Sequence, residues 1–145
     1  YIKTYYPNVV LISYGETDDF AHDSRYDHYL DAAHNTDQMI KDLWEFCQNN
    51  EVYKGKTSFI ITTDHGRGDH PKKEWTSHGK IIKGSNEIWM MAIGPDTPAL
   101  GEVKTKAQHW QNQIAATVAG WLGLEYKNAE EAGKPVQNFF IKTGQ

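Results

Sequence analysis

Apolar positions along the chain fall into two kinds of pattern. Three short runs, NVVLISYG (8–15), TSFIITT (57–63) and EIWMMAIG (87–94), are nearly continuous and rich in β-branched side chains. Such runs, bounded by polar or Gly/Pro segments, predict strands buried on both faces. From Arg25 to about Asn50 the pattern changes. Tyr26, Leu30, Ala33, Ile40, Leu43, Trp44 and Cys47 recur at steps of three and four with polar residues between them, which predicts an amphipathic helix. A second helix is predicted from about Lys104 to Leu122, with Trp110, Ile114, Val118, Trp121 and Leu122 on its apolar side. ETDDFAHDS (16–24) and residues 64–86 read as polar loops, and PDTPALGE (95–102) as a Pro/Gly loop. The opening YIKTYYP reads as a helix tail closed by Pro7, and the residues after Leu122 as surface wrapping.

The order β-α-β-loop-β-α predicts an α/β protein, layered α/β/α around a mostly parallel sheet. Three strands are few for a free-standing sheet, and a chain rarely opens on a residue such as Tyr1. The expectation is therefore that residues 1–145 form a single α/β domain that is the C-terminal fragment of a larger catalytic domain.

Composition narrows the classes. The chain has 145 residues, 39% hydrophobic and 23% charged, which fits one globular core rather than disorder. A net charge of −4 without a Lys/Arg cluster gives no nucleic-acid footprint. No run of about 18 apolar residues predicts a membrane span, and no stretch reads as a signal peptide. The one cysteine, Cys47, excludes an internal disulfide and is expected in the core.

The chemistry gathers where the apolar runs stop. Ligands of open α/β sheets bind beyond the carboxyl ends of the strands. Glu16, Asp18, Asp19 and His22 follow the first run; Asp64, His65, Arg67, Asp69 and His70 follow the second; His78 precedes the third. If the first two strands are parallel neighbours, these groups converge. Carboxylates and imidazoles suit a divalent metal such as zinc, manganese or iron, and the absence of cysteine from the set excludes a closed Cys-type zinc site. Two such groups at one edge also suit a pair of ions, the arrangement used in phosphoryl transfer. Residue types and spacing carry the reading no further than a metal site.

Asp18 and His22 in DDFAH, Asp64-His65-Gly66 in TTDHG, and His78 ahead of EIWMMAIGPDTP stand in the order of the C-terminal half of the alkaline phosphatase superfamily. The chain resembles in particular bacterial alkaline-phosphatase-like proteins of the phosphoglyceromutase or type I phosphodiesterase kind. RYDHYLDAAHNTDQMI, TTDHGRG and QIAATVAGWLG carry that flavour, and the resemblance runs from residue 8 to about 124. It implies two divalent metal ions, with zinc the first choice of metal and manganese the alternative. Asp18, His22 and His78 would hold one; Asp64 and His65 would hold the other with an aspartate and a Ser/Thr nucleophile from an N-terminal half. No catalytic nucleophile is expected within this chain, which alone should turn over little or nothing. The implied activity is hydrolysis of a small-molecule phosphate monoester or diester through a phospho-Ser/Thr. A mutase-type phosphotransferase or a sulfatase is the alternative within the superfamily, and a non-catalytic metal-binding domain the alternative outside it. Sulfatases of the superfamily carry a lysine pattern and prefer calcium, so Asp-x-x-x-His favours the phosphatase side. Family analogy suggests a periplasmic or extracytoplasmic location, which the sequence leaves unknown.

The family spacing prefers Asp18 to Asp19, and family topology prefers His78 to His109. Arg67 and His70 are candidate substrate-binding residues. His28 and His34 are expected on the outer face of the first helix, Asp37 in a hydrogen-bonded role, and Trp75 in a pocket wall.

Overall fold

The computed structural model describes residues 1–141 and divides into two compact units. The first comprises Tyr1–Lys54 and His65–Ile88; the second comprises Gly55–Asp64 and, of the described residues, 89–141.

The first unit is helical. Helix α1 (Ile2–Tyr5) ends with Tyr6 in the left-handed region, directly before Pro7. Residues 8–15, expected as a buried strand, pair with no strand among the described residues, and Val9, Val10, Leu11 and Ile12 are exposed, Leu11 at 94%. The apolar pattern specifies sides to be covered, and no neighbouring backbone completes a ladder here. The expected loop at 16–24 is instead helix α2 (Glu16–His22). Gly15 offers its carbonyl to the N–H groups of Asp18 and Asp19, and Glu16, Asp18 and Asp19 place negative charge in the first turn, where the helix dipole favours it.

Helix α3 (Tyr26–Asn49) matches the predicted amphipathic helix within a residue at each end. It packs against α2, and both helices bury alanines, Ala21 and Ala32. Small side chains there allow close backbone approach. Cys47 is buried, as expected, and the hydroxyl of Tyr53 donates to the Ile2 carbonyl at 3.0 Å, tying α1 to the far end of α3. A 3₁₀ turn at Lys72–Thr76 packs on α2 and presents Trp75 edge-on to Tyr26 and Tyr29 of α3, with ring centroids 5.3 and 5.8 Å away. His34 is exposed and His28 half-buried against the Phe20 ring.

The second unit holds strands β1 (Phe59–Thr62) and β2 (Met90–Ile93), where the second and third apolar runs predicted them. They pair antiparallel, Phe59 opposite Ile93 and Thr62 opposite Met90, and no parallel pair occurs among the described residues. Burial on both faces is not what β2 has: Met91 and Ile93 are exposed while Met90 and Ala92 are half-buried. The predicted helix at 104–122 shrinks to α4 (Ile114–Trp121), preceded by a 3₁₀ turn at Gln111–Gln113. Residues 104–108 are exposed and, apart from Ala107, polar, so they have no apolar stripe to bury. Thr117, fully buried, donates to the Gln113 carbonyl at 2.8 Å and accepts from the Val136 N–H at 3.0 Å, which fastens the segment after α4 to the helix. No helix among the described residues is long and apolar enough to cross a membrane.

Candidate metal centre

The site is built on the first unit. Asp18 and His22 stand one helical turn apart on α2, so their side chains share a face. His65 opens the segment that follows β1, and His78 follows the 3₁₀ turn. Backbone hydrogen bonds lock that segment against the residues on either side of His78. Gly66 N–H donates to the Ser85 carbonyl at 2.8 Å, Gly68 N–H to Ser77 at 3.0 Å, and Asp69 N–H to Lys83 at 3.2 Å. Two glycines permit this. A Cβ on Gly66 would overlap the Gly84 and Glu87 carbonyls, and Gly84, at φ +94°, lies against the Arg67 carbonyl.

Asp18, His65 and His78 each present one donor atom, and these lie within 4.8 Å of one another. Asp18 Oδ1 is 3.6 Å from Nε2 of both His65 and His78. His22 adjoins them, its Nε2 3.1 Å from His78 Nε2 and 3.4 Å from Asp18 Oδ2. A tetrahedral zinc with bonds of about 2.0–2.1 Å separates its donor atoms by about 3.3 Å, close to all four spacings. The donor chemistry also fits. His65 Nδ1 donates to the Gly66 carbonyl at 2.9 Å, which leaves a lone pair on Nε2 facing Asp18. Two imidazole nitrogens as close as those of His22 and His78 repel unless a proton or a cation lies between them. The residues therefore fit a divalent ion.

Electrostatics hold Asp18 ready as a ligand. Partial burial alone would raise its carboxyl, but a hydrogen bond and charge from Arg67, with further attraction from His22 and His78, keep it below the ordinary 3.8. Arg67 Nη2 makes that bond to Oδ1. A carboxyl lowered by folding contributes stability that is complete above its unfolded value and is lost as pH falls through the lower folded value. Asp18→Asn should therefore lower the metal-free melting temperature at pH 7, with the difference from wild type closing below pH 3.8, as thermal melts across pH 2–7 would read.

Several expectations divide here. Asp18 rather than Asp19 faces the donors; Asp19 is exposed on α2. His78 is in the group, whereas His109 lies in the second unit with its Nδ1 buried and without a hydrogen-bond partner among the described residues. His65, expected beside Asp64 at a second ion, stands with Asp18 and stacks on His78 at 3.7 Å. Asp64 belongs to the second unit, where the Gln111 side-chain amide donates to its carbonyl. His70 is exposed and outside the group. Arg67, expected as a substrate-binding candidate, lies beside Asp18. Its side chain is only 15% exposed, its Nη1 is buried without an acceptor among the described residues, and its guanidinium lies 5.9 Å from the Tyr29 ring centre. The signal for it was adjacency to the DHG tripeptide.

No curated protein and no solved structure matches the chain. A family model described as the Metalloenzyme superfamily matches residues 2–126, which cover α1 through α4 and every donor in the group. The chain therefore belongs to the Metalloenzyme superfamily, within the alkaline phosphatase-like superfamily of metal-dependent enzymes.

Proposed function

We propose that this chain carries the metal-binding part of a hydrolase for phosphate monoesters or diesters. One observation carries the reading: a carboxylate and three imidazoles within 3.1–3.6 Å of their neighbours, beside an arginine with a buried N–H group unengaged among the described residues. In this reading Asp18, His22, His65 and His78 hold one ion, and Asp64 serves a second. The bound ions, zinc or manganese, would neutralise phosphate charge and lower the pKa of a nucleophile. Arg67 has a dual task. Nη2 fixes the Asp18 carboxylate, and Nη1 donates to a phosphoryl oxygen, a pairing that suits the planar guanidinium. His70 stays a solvent-facing candidate for substrate contact.

The nucleophile would be a Ser or Thr of an N-terminal portion of the same protein, which would also complete a layered, mostly parallel sheet. Support comes from the exposed apolar run Val9–Ile12, whose pattern asks for sheet neighbours. The test is hydrolysis of para-nitrophenyl phosphate and its bis-ester by the protein with its upstream sequence. Turnover should require zinc or manganese, vanish with a chelator, and fall at least a hundredfold in Arg67→Ala. Metal-independent turnover, or none from the whole protein, would sink the proposal.

A further inference from the structure

A cavity of about 550 Å³ opens beside the metal-site imidazoles. Its volume lies within the usual range for small-molecule sites. His65 and His78 form one end, and Lys80, Lys83, Ser85 and Asn86 line the remainder with two isoleucines. The lining contains two ammonium groups and no carboxylate.

The rim that presents these lysines is held in place. Gly79 N–H donates to Ser85 Oγ at 3.0 Å, Ile82 N–H to the Gly79 carbonyl at 3.0 Å, and Ser85 N–H to the Ile82 carbonyl at 3.2 Å. The carbonyls of Lys83 and Ser85 in turn accept from Asp69 and Gly66, the stretch that carries Arg67. The rim is therefore anchored to the same backbone as the site. The Lys83 ammonium is 74% exposed and only loosely paired, 3.6 Å from Asp69 Oδ2, too far for a good hydrogen bond. Lys80 is exposed at the mouth.

A phosphoryl group met by metal ions and Arg67 already has its charge balanced. Two more cations alongside serve a different negative group. We propose that the 79–86 loop is a second anion subsite, in which Lys80 and Lys83 select esters bearing another carboxylate or phosphate on the part of the substrate that is not transferred. Neutral alkyl or aryl esters gain nothing from it. The inference rests on the phosphate-ester reading above and names its substrate class.

The test compares two probes that differ by one charge, 2-phosphoglycolate and ethyl phosphate. Both are titrated by NMR into the full chain, with and without zinc, at one fixed ionic strength. Wild type should bind phosphoglycolate roughly tenfold more tightly, as expected for two partly solvated charge contacts. Lys80→Met/Lys83→Met, which keeps the aliphatic stems on an exposed rim, should bring that ratio close to one without weakening ethyl phosphate. Metal removal should weaken both probes and leave the ratio. A wild-type ratio near one, a ratio unmoved by the double variant, or equal weakening of both probes by it would overturn the subsite. If the ratio behaves as stated but metal removal weakens neither probe, the subsite stands and the phosphate-at-metal reading fails.

Discussion

His78→Ala is expected to weaken zinc binding by roughly a hundredfold, about one ligand's share of the binding energy of a structural-type site. His78 Nε2 is 3.1 Å from one donor atom and 3.6 Å from another, so its removal opens one side of the group. Its ring also stacks on His65 at 3.7 Å, so the variant frees the orientation of a second ligand. His22→Ala should act on the same ion with similar size. His109→Ala should leave zinc affinity unchanged, because His109 is outside the donor group. Competition with a chromophoric chelator measures all three. Equal weakening by His109→Ala would mean that the family topology assigned the wrong histidine.

Gly66→Ala is the second large effect. One added carbon would overlap the carbonyls of Gly84 and Glu87, and both are backbone atoms that cannot rotate away. The 65–69 stretch must shift, and its three bonds to Ser85, Ser77 and Lys83 lengthen with it. The expected cost is about 1–3 kcal/mol, the range for overpacking a close contact. Zinc affinity should fall as well, since His65 is the adjacent residue. Urea unfolding reads the first effect and the chelator assay the second. An unchanged midpoint would show that this approach of two loops is not close in solution.

The sequence was most informative where periodicity is long or where chemistry is dense. The repeat in Tyr26–Asn49 runs over several turns, and α3 follows it. DHG after an apolar strand, and Asp18 four residues before His22, located donors that come together. The same spacing of four also held an unused signal. Asp-x-x-x-His is one helical turn, and with acids in the first turn it marks α2, which reads as a loop if only apolar positions are counted. Short apolar runs were ambiguous for a different reason. Their pattern states that a side needs covering, but pairing depends on a neighbour that the run does not encode. Residues 59–62 and 90–93 find each other antiparallel, whereas 9–12 find no partner among the described residues. The 104–122 prediction failed where apolar spacing thinned out, because a helix that buries no face in its first turns has little to offset its ordering entropy. The pinning of 79–85 on 66–69 was illegible, since it runs through backbone groups whose side chains carry no pattern.

If Asp18, His22, His65 and His78 form a divalent-metal centre, zinc-edge X-ray absorption of the zinc-loaded protein shows it most directly. The expected spectrum has imidazole scattering from at least two nitrogens per zinc at about 2.0–2.1 Å, reduced in His78→Ala. A shell of oxygen alone, unchanged by that substitution, would contradict it.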